Sequence, residues 1–322
     1  MENNISEPRL RTYRSILKLK ASGQILRAYY WNKALCGAIY PAMQTLEVTL
    51  RNALNESVKT CHDGKYQADD WWFEHLVTDV QDQKISRMSP QQKGKWIDLG
   101  TGRRKKKNHQ EQQLKRTIVD LKREGRTPVI HDDVIGRQVL GFWTTFLGKG
   151  FEDVTTKKLL WPNLLKDVFP NTPHKPKRAE IEARLKSIKD LRNRISHHEP
   201  VWKFYKPLPS GAPDYKTPVY GLNPSLLLVE RQYNEILELI RWMSEDRYQS
   251  FIYARLDIEF RKLCSHDGFY AYVDSNKIKN VARCARAKRE AKKIWRSAQN
   301  GVVTAVTRNG KPITVVGINE PF

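Results

Sequence analysis

The fold is decided by the stretch 178-RAEIEARLKSIKDLRNRISHHEP-200. Its apolar residues recur at steps of four, three, three and four, which places them on one continuous helix face. These residues are Ile181, Leu185, Ile188, Leu191 and Ile195. Pro200 ends the pattern, because the residue before a proline avoids the helical region. The stretch therefore predicts an amphipathic helix over about 178–199.

Similar spacing predicts a mainly α fold for the rest of the chain. Pro41 predicts a kink or a helix boundary in the second helix. A long loop is predicted over 207–224, where Pro, Gly and Tyr are frequent. The other predicted helices span 10–21, 24–59, 111–124, 226–243 and 247–263.

The C-terminal part of the chain has a different character. Residues 277–296 hold nine basic residues and one acidic residue, Glu290, which predicts a basic helix. Two apolar runs, 302–307 and 313–318, flank Asn309-Gly310 and predict a small β-hairpin, with Lys311-Pro312 lengthening its turn. We therefore predict a helical domain over 1–267 and a basic helix plus hairpin over 268–322.

The charge balance narrows the class of partner. The chain carries 57 Lys and Arg against 35 Asp and Glu, a net charge of +22. An excess of this size favours a polyanion, with nucleic acid as the first candidate and an anionic membrane surface as the second. The longest apolar runs fall far short of the roughly 20 residues that span a membrane, so we expect no membrane partner.

The cysteines and the N-terminus indicate the compartment. The four cysteines have the spacing of neither a zinc site nor a dense disulfide framework. The first residues are polar and acidic with no apolar segment after them, so no signal peptide is predicted. We expect free thiols in a reducing cytoplasm and predict neither a metal nor another cofactor.

The end of the 178–199 helix carries residues suited to RNA cleavage. Histidine can act as base or acid near neutral pH, and arginine offers a fork of donors to phosphate oxygens. Arg192 and His197 are about 140° apart at ~100° per residue, whereas Asn193 and His197 share a face. An Arg and a His five residues apart also occur by chance in many helices, so the spacing alone is a weak signal.

The segment 191-LRNRISHHEP-200 resembles the signature of the Abi-like (abortive infection) family, whose members belong to the HEPN superfamily. That superfamily carries an Arg, four to six residues, and then a His, often with Asn directly after the Arg. Ser196 departs mildly from the small residue, such as Ala, that the family has before its two histidines. The resemblance runs in order over about residues 9–250, and it includes Tyr30-Trp31-Asn32, 46-LEVTLRNAL-54, 141-GFW-143, Leu160-Trp161 and 236-ILELIRW-242.

The resemblance implies a HEPN-type helical bundle with metal-independent ribonuclease activity. Carried onto this chain, Arg192 and His197 would be the catalytic pair, with Asn193 assisting them and His198 in support. HEPN sites generally form from two facing copies of the motif. In this chain the second candidate, Arg51-Asn52, is not followed by His at the matching positions. The resemblance therefore implies a homodimer with a composite active site.

Glu47, Arg51 and Asn52 are accessory candidates for this site. Glu47 and Arg51 are four residues apart, a spacing at which opposite charges commonly pair along a helix. Direct participation in the active site is the alternative.

The candidate RNA-binding residues are basic and lie in three segments. The run 103–107 is interpreted either as a solvated loop or as a phosphate-contacting patch. The C-terminal basic helix either follows phosphates or is a solvated helix packed through Ile278, Val281, Ala285 and Trp295. The candidates are Arg103, Arg104, Lys105, Lys106, Lys107, Arg194, Arg286, Lys288, Arg289, Lys292 and Lys293.

Three functional hypotheses follow. The first is an endoribonuclease of phage defence, acting as a toxin or a phage-triggered effector on an RNA substrate. The second is a non-catalytic or regulatory RNA-binding module, and the third is an interaction protein whose helices only dimerise. A regulatory RNA or an antitoxin is an expected further partner under the first.

Overall fold

A computed structural model describes residues 5–61, 64–153, 159–173, 177–274, 277–278, 280–299 and 302–316. Within these residues the chain is mainly helical, as its apolar periodicity predicts. The helices are α1 (Glu7–Ile16), α2 (Ser22–Thr60), α3 (Trp72–Ser86), α4 (Pro90–Lys93), α5 (His109–Arg123), α6 (His131–Arg137), α7 (Leu140–Thr145), α8 (Leu165–Val168), α9 (Arg178–Ser196), α10 (Leu222–Met243), α11 (Glu245–Tyr253), α12 (Ile258–Leu263), α13 (His266–Val273) and α14 (Cys284–Gln299).

Strands form two small sheets. Strands β1 (Tyr205–Pro207) and β2 (Pro213–Pro218) pair antiparallel, so the predicted loop over 207–224 contains a hairpin. Strand β3 (Val281–Arg283) runs parallel to β4 (Thr304–Arg308), which pairs antiparallel with β5 (Lys311–Val316). The sequence does not predict the first hairpin, because its strands hold three prolines, which cannot donate ladder hydrogen bonds.

The chain divides into two compact units. The first comprises residues 1–45, 190–239 and 246–322, and the second comprises 46–189 and 240–245. Helices α2, α9 and α10 each contribute residues to both units. The predicted division near residue 268 stays a prediction.

The second unit has an aromatic core. Trp72, Trp143 and Phe146 are fully buried, and Trp72 lies 5.4 Å from Phe146 between ring centroids. The Trp72 indole donates to Asn55 Oδ1 at 2.8 Å, and the Trp161 indole donates to the carbonyl oxygen of Phe146 at 2.6 Å. The apolar cluster around Phe142 is therefore core, which agrees with the ordinary packing role of buried aromatics.

The first unit is built around α2. Trp31 is fully buried, and its indole donates to the carbonyl oxygen of Leu263 at 3.0 Å. Its ring meets Phe269 edge-on at 4.9 Å, and α2 continues through Pro41 without a helix boundary. Helix α9 keeps the predicted face buried at Ile181, Leu185, Ile188 and Leu191, whereas Ile195 is half-buried.

The C-terminal segment forms a β-α-β unit followed by a hairpin. Helix α14 connects the parallel strands β3 and β4 and contacts both of them. The predicted helix over 277–296 is wrong at its start, because residues 281–283 join the sheet before α14 begins. Asn309 (φ 51°) and Gly310 (φ 75°) form the hairpin turn, and Arg308 pairs with Lys311.

That pairing makes the turn two residues long, since successive positive φ angles are typical of the tight hairpin connection. The prediction that Lys311-Pro312 lengthens the turn is therefore wrong. Residues 317 and 318, the predicted end of the second strand, lie outside the described residues. The predicted single helix over 247–263 is two helices, separated by Arg255 in the left-handed region at φ 57°.

None of the described helices combines the length and the apolar character needed to cross a lipid bilayer.

Two glycines should respond in opposite ways to the same substitution. A Cβ on Gly268 would lie 2.0 Å from the carbonyl oxygen of Lys262, whereas a Cβ on Gly37 would meet nothing within 4 Å. We expect Gly268→Ala to destabilise by about 1–3 kcal/mol through overpacking. We expect Gly37→Ala to stabilise α2 by about 0.5–1 kcal/mol.

The free energy of unfolding from urea titration checks both values, and each variant serves as the control for the other. A Gly268→Ala variant as stable as the parent would contradict the close approach of α13 to Lys262.

Candidate active site

Helix α9 presents the predicted catalytic residues at its C-terminal end. Arg192 and Asn193 are half-buried in its last turns, and His197 follows the last helical residue with an exposed side chain. The backbone N–H of His197 donates to the carbonyl oxygen of Asn193 at 2.9 Å. Among the described residues, no hydrogen bond holds the side chain of Arg192 or of His197. The exposed His197 side chain is therefore accessible from solvent.

His198 has a backbone role that sequence alone does not reveal. Its φ is 58°, and its N–H donates to the carbonyl oxygen of Ile195 at 3.0 Å. The N–H of Glu199 donates to the carbonyl oxygen of Arg194 at 2.8 Å. This pair of bonds is the Schellman motif, in which a left-handed residue, usually glycine, ends a helix. His198 thus turns the chain sharply away from α9 immediately after His197.

The side chain of Arg194 binds the backbone that follows the same turn. Its Nη2 donates to the carbonyl oxygens of Pro200 and, at 2.6 Å, of Lys203. Its guanidinium lies 5.6 Å from the centroid of the Phe204 ring. Burial lowers the pKa of Arg194, while Glu199 acts in the opposite direction. The donors of Nη2 are therefore already engaged by its own chain, and RNA contact by Arg194 remains a prediction.

Asn32 on α2 anchors the segment that follows the motif. Its side chain is fully buried, and its Oδ1 accepts from the backbone N–H of Val201 at 3.0 Å. Its Nδ2 donates to the carbonyl oxygen of Glu199 at 3.4 Å. One amide thus satisfies a donor and an acceptor on the short segment after His198, as buried backbone groups require.

Trp202 extends this anchor into the core. The ring is fully buried and meets Tyr13 edge-on at 5.0 Å, with Trp31 at 6.4 Å. Trp31 and Asn32, which the sequence offers only as part of a resemblance, therefore support the turn after the motif. The sequence holds one signal for this role: an Asn next to a Trp in an apolar helix is expected to be buried, and a buried Asn needs polar partners.

A cleft lies along the turn. It has a volume of 360 Å³ and is open to solvent. Three of its lining side chains are basic, and one is aromatic. Its lining residues are Ser6, Pro8, Arg9, Thr12, Arg194, Glu199, Pro200, Lys203 and Tyr205.

Comparison with known sequences settles the family. The family described as Abi-like protein matches residues 9–203, which is 195 of the 322 residues. The chain belongs to the Abi-like family. The matched region begins in α1 and ends just after Trp202, so it includes α9, the Schellman turn and the residues that anchor them. No curated protein and no solved structure matches the chain.

Membership in the Abi-like family suggests a role in abortive infection. It does not assign an activity to any residue. The roles of Arg192, Asn193, His197 and His198 therefore rest on chemistry and geometry.

The accessory candidates belong to the second unit. Arg51 donates from Nη1 to the carbonyl oxygen of Gly136 at 3.3 Å, and Asn52 is exposed. The pairing of Glu47 with Arg51 stays a prediction, as does any contribution of the three residues to the active site. The structure assigns them to α2, beyond the point where that helix leaves the first unit.

The predicted basic run divides into two kinds of residue. Arg104 donates to both carboxylate oxygens of Glu111, at 2.9 and 2.8 Å, and also pairs with Asp82. Arg103 and Lys105–Lys107 are exposed. Arg104 therefore stabilises the start of α5, whereas the other four are accessible to a polyanion.

Helix α14 presents the second basic surface of the Abi-like chain. Ile294 and Ala298 are buried, and the five predicted RNA-binding residues are all exposed. Trp295, predicted as a packing residue, is 44% exposed. The exposed cations are Arg286, Lys288, Arg289, Lys292 and Lys293.

We expect His198→Gly to stabilise the Abi-like fold by about 1 kcal/mol, because glycine adopts the left-handed region without the steric cost of a Cβ. Ser196→Gly, two residues earlier but still helical, should instead lower the free energy of unfolding. Urea titration of the two variants measures the change in the free energy of unfolding, which should be positive for His198→Gly and negative for Ser196→Gly. A destabilised His198→Gly variant would show that the imidazole makes contacts worth more than the backbone strain.

Proposed function

We propose that this Abi-like protein is a metal-independent endoribonuclease of the HEPN type, acting in abortive infection or as a toxin. The observation that carries the proposal is the placement of Arg192 and His197. Both lie near the C-terminal end of α9, directly before a turn that Asn32, Arg194 and His198 shape. The net charge of +22 supports a polyanionic substrate.

The proposed reaction uses the 2′-hydroxyl of RNA as the nucleophile. A base removes its proton, the 2′-oxygen forms a bond to phosphorus, and the bond to the 5′-oxygen breaks as an acid protonates that oxygen. Imidazole can perform either proton transfer near neutral pH. The guanidinium of Arg192 would stabilise the charge on the phosphoryl oxygens, and the Asn193 amide would orient the imidazole or the ribose. DNA lacks the 2′-hydroxyl and is excluded as a substrate of this reaction.

One motif per chain makes the proposed site half of a pair. The Arg51-Asn52 pair is followed by Glu56 and Ser57, so Arg192-Asn193 is the one Arg-Asn pair of the sequence that is followed by His at the matching position. We therefore propose a homodimer in which two copies of the 192–197 segment face one another. A regulatory RNA or an antitoxin would restrain such an enzyme in the cytoplasm.

The activity is tested by incubating purified protein with total cellular RNA in excess EDTA. We expect fragments ending in 2′,3′-cyclic phosphate. We expect His197→Ala and Arg192→Ala each to lower the rate by about 10²- to 10⁴-fold, the usual contribution of one general acid–base or charge-stabilising group. His109→Ala, which removes an exposed histidine at the start of α5, is the matched control and should leave the rate unchanged.

Intact RNA after incubation, or equal cleavage by His197→Ala, would refute the nuclease proposal. Arg192→Lys separates charge from geometry, because lysine keeps the charge and loses the planar fork of donors. A rate close to that of Arg192→Ala would show that the fork itself is needed.

A non-catalytic RNA-binding function is the second candidate, and the exposed cations of α14 favour it. Its apolar residues Ile294 and Ala298 are buried, so the helix has little apolar face to insert into a membrane. The cationic face is therefore better suited to phosphates than to lipid. Binding that persists in His197→Ala, with no cleavage products from the parent, would favour this candidate.

The α14 surface is tested by salt dependence. We expect Arg289→Gln combined with Lys293→Gln to make the slope of log affinity against log salt less steep by about 1 to 2, because each phosphate contact contributes about 0.7 to 0.9. Lys18→Gln combined with Lys20→Gln removes the same charge from exposed positions elsewhere in the unit. Equal effects of the two double variants would indicate a contribution of net charge only.

A further inference from the structure

The β1–β2 hairpin carries two tyrosines beside the motif. Tyr205 and Tyr215 meet edge-on with ring centroids 5.0 Å apart. Tyr215 is 74% exposed, so most of its ring faces solvent. An exposed aromatic ring that is held on a strand offers a surface on which another ring can stack.

The hairpin and the residues at its base carry three lysines. Lys203 Nζ lies 5.0 Å from the centroid of the Tyr205 ring, and Lys206 and Lys216 are exposed. The acidic residue of the hairpin, Asp214, accepts from the backbone N–H of Lys216 at 3.0 Å and from Thr217 Oγ1 at 2.9 Å. Its carboxylate is therefore engaged in holding the strand, and the outer surface of the hairpin is aromatic and positive.

The hairpin is tied to the end of α9. Arg194 holds the carbonyl oxygen of Lys203, and the N–H of Val219 donates to the carbonyl oxygen of Phe204 at 2.9 Å. The base of the hairpin therefore has a fixed place relative to the turn that follows His197. Tyr205 also lines the 360 Å³ cleft with Arg9, Lys203 and Glu199, the last being two residues from His197. The volume lies within the range of about 300–1,000 Å³ of small-ligand pockets.

We propose that this hairpin and cleft bind an unpaired nucleotide of RNA, with a base stacked on Tyr215 and the adjoining phosphates near Lys203 and Arg9. The inference rests on the proposed function and deepens it, because it names unpaired RNA as the ligand class. Bases can stack on aromatic side chains only where they are not already stacked in a duplex. An aromatic surface with interspersed cations is the arrangement that binds single strands without reading their sequence.

The hairpin and helix α14 are two candidate RNA-binding surfaces with different chemistry. Helix α14 offers charge with a single partly exposed aromatic ring, which suits phosphates of any RNA form. The hairpin adds stacking, which requires an unpaired base. Removing Tyr215 should therefore change the preference between single-stranded and duplex RNA, and not only the overall affinity.

The test measures binding separately from cleavage. A fluorescein-labelled ten-nucleotide oligouridylate and a fully paired RNA duplex are titrated by anisotropy with His197→Ala protein, and with the parent if the parent does not cleave. We expect Tyr215→Ala to weaken binding of the single strand by about 5- to 100-fold, the effect of losing one stacked base. Duplex affinity should stay within about 2-fold.

Two matched variants give the control. Tyr215→Phe keeps the ring and should bind the single strand like its parent protein. Leu208→Ala removes an exposed side chain from the same hairpin (45% exposed in the parent) without removing a ring, and should also bind normally. A 4-thiouridine cross-link from the oligonucleotide should map to the peptide that contains residues 203–220.

Unchanged single-strand binding by Tyr215→Ala, or equal loss of single-strand and duplex affinity, would overturn the proposal. So would a cross-link that maps only elsewhere, or a change of oligomeric state in Tyr215→Ala, which would assign the hairpin to a protein contact. Because these readouts need no cleavage, an inactive parent would refute the nuclease while leaving the stacking site to be judged on binding.

Discussion

The side-chain amide of Asn32 joins α2 to the chain segment directly after the motif. It accepts from Val201 and donates to Glu199, and it does so from a fully buried position. An unpaired polar atom there would cost about 1–3 kcal/mol, so the amide and the backbone segment hold each other in place. Trp202 then packs between Tyr13 and Trp31 on the same side. The direction in which the chain leaves α9, and with it the exposure of His197, follows from this pairing.

A second constraint acts on the same few residues. The left-handed backbone of His198 is a cost that glycine would avoid, and Arg194 gives two donors to carbonyl oxygens of its own chain. The backbone of His198 and the side chain of Arg194 thus shape the turn. Arg192 is half-buried and His197 is exposed, and among the described residues neither side chain has a hydrogen bond; these are the two groups that we propose to act on the phosphate. Neighbouring residues of one motif therefore have different structural surroundings.

The sequence predicted α9 to within three residues, because its apolar face repeats over five positions and a proline ends it. Phe142 and Trp143, which the sequence offers only as part of the resemblance, are buried, as clustered aromatics ordinarily are. Two strand predictions were wrong for different reasons. The prolines of β1 and β2 give those segments the pattern of a loop. Residues 281–283 form a strand because they pair with β4, which lies more than 20 residues later in the chain. For the site, residue types named the candidates, but Asn32 and the conformation of His198 could not be read from spacing.

The exposure of His197 bears on how such a site could work. Charge stabilisation is strongest where water is excluded, because preorganised donors there act in a low dielectric. In a single chain His197 is exposed and Arg192 is half-buried, so the substrate or a second copy of the motif must complete the enclosure. A base stacked on Tyr215 would bring RNA over the turn from one side, and a facing motif would cover it from the other. The two proposals are therefore complementary: the hairpin would position an unpaired nucleotide, and dimerisation would supply the dry environment that the proposed reaction of the imidazole and guanidinium needs.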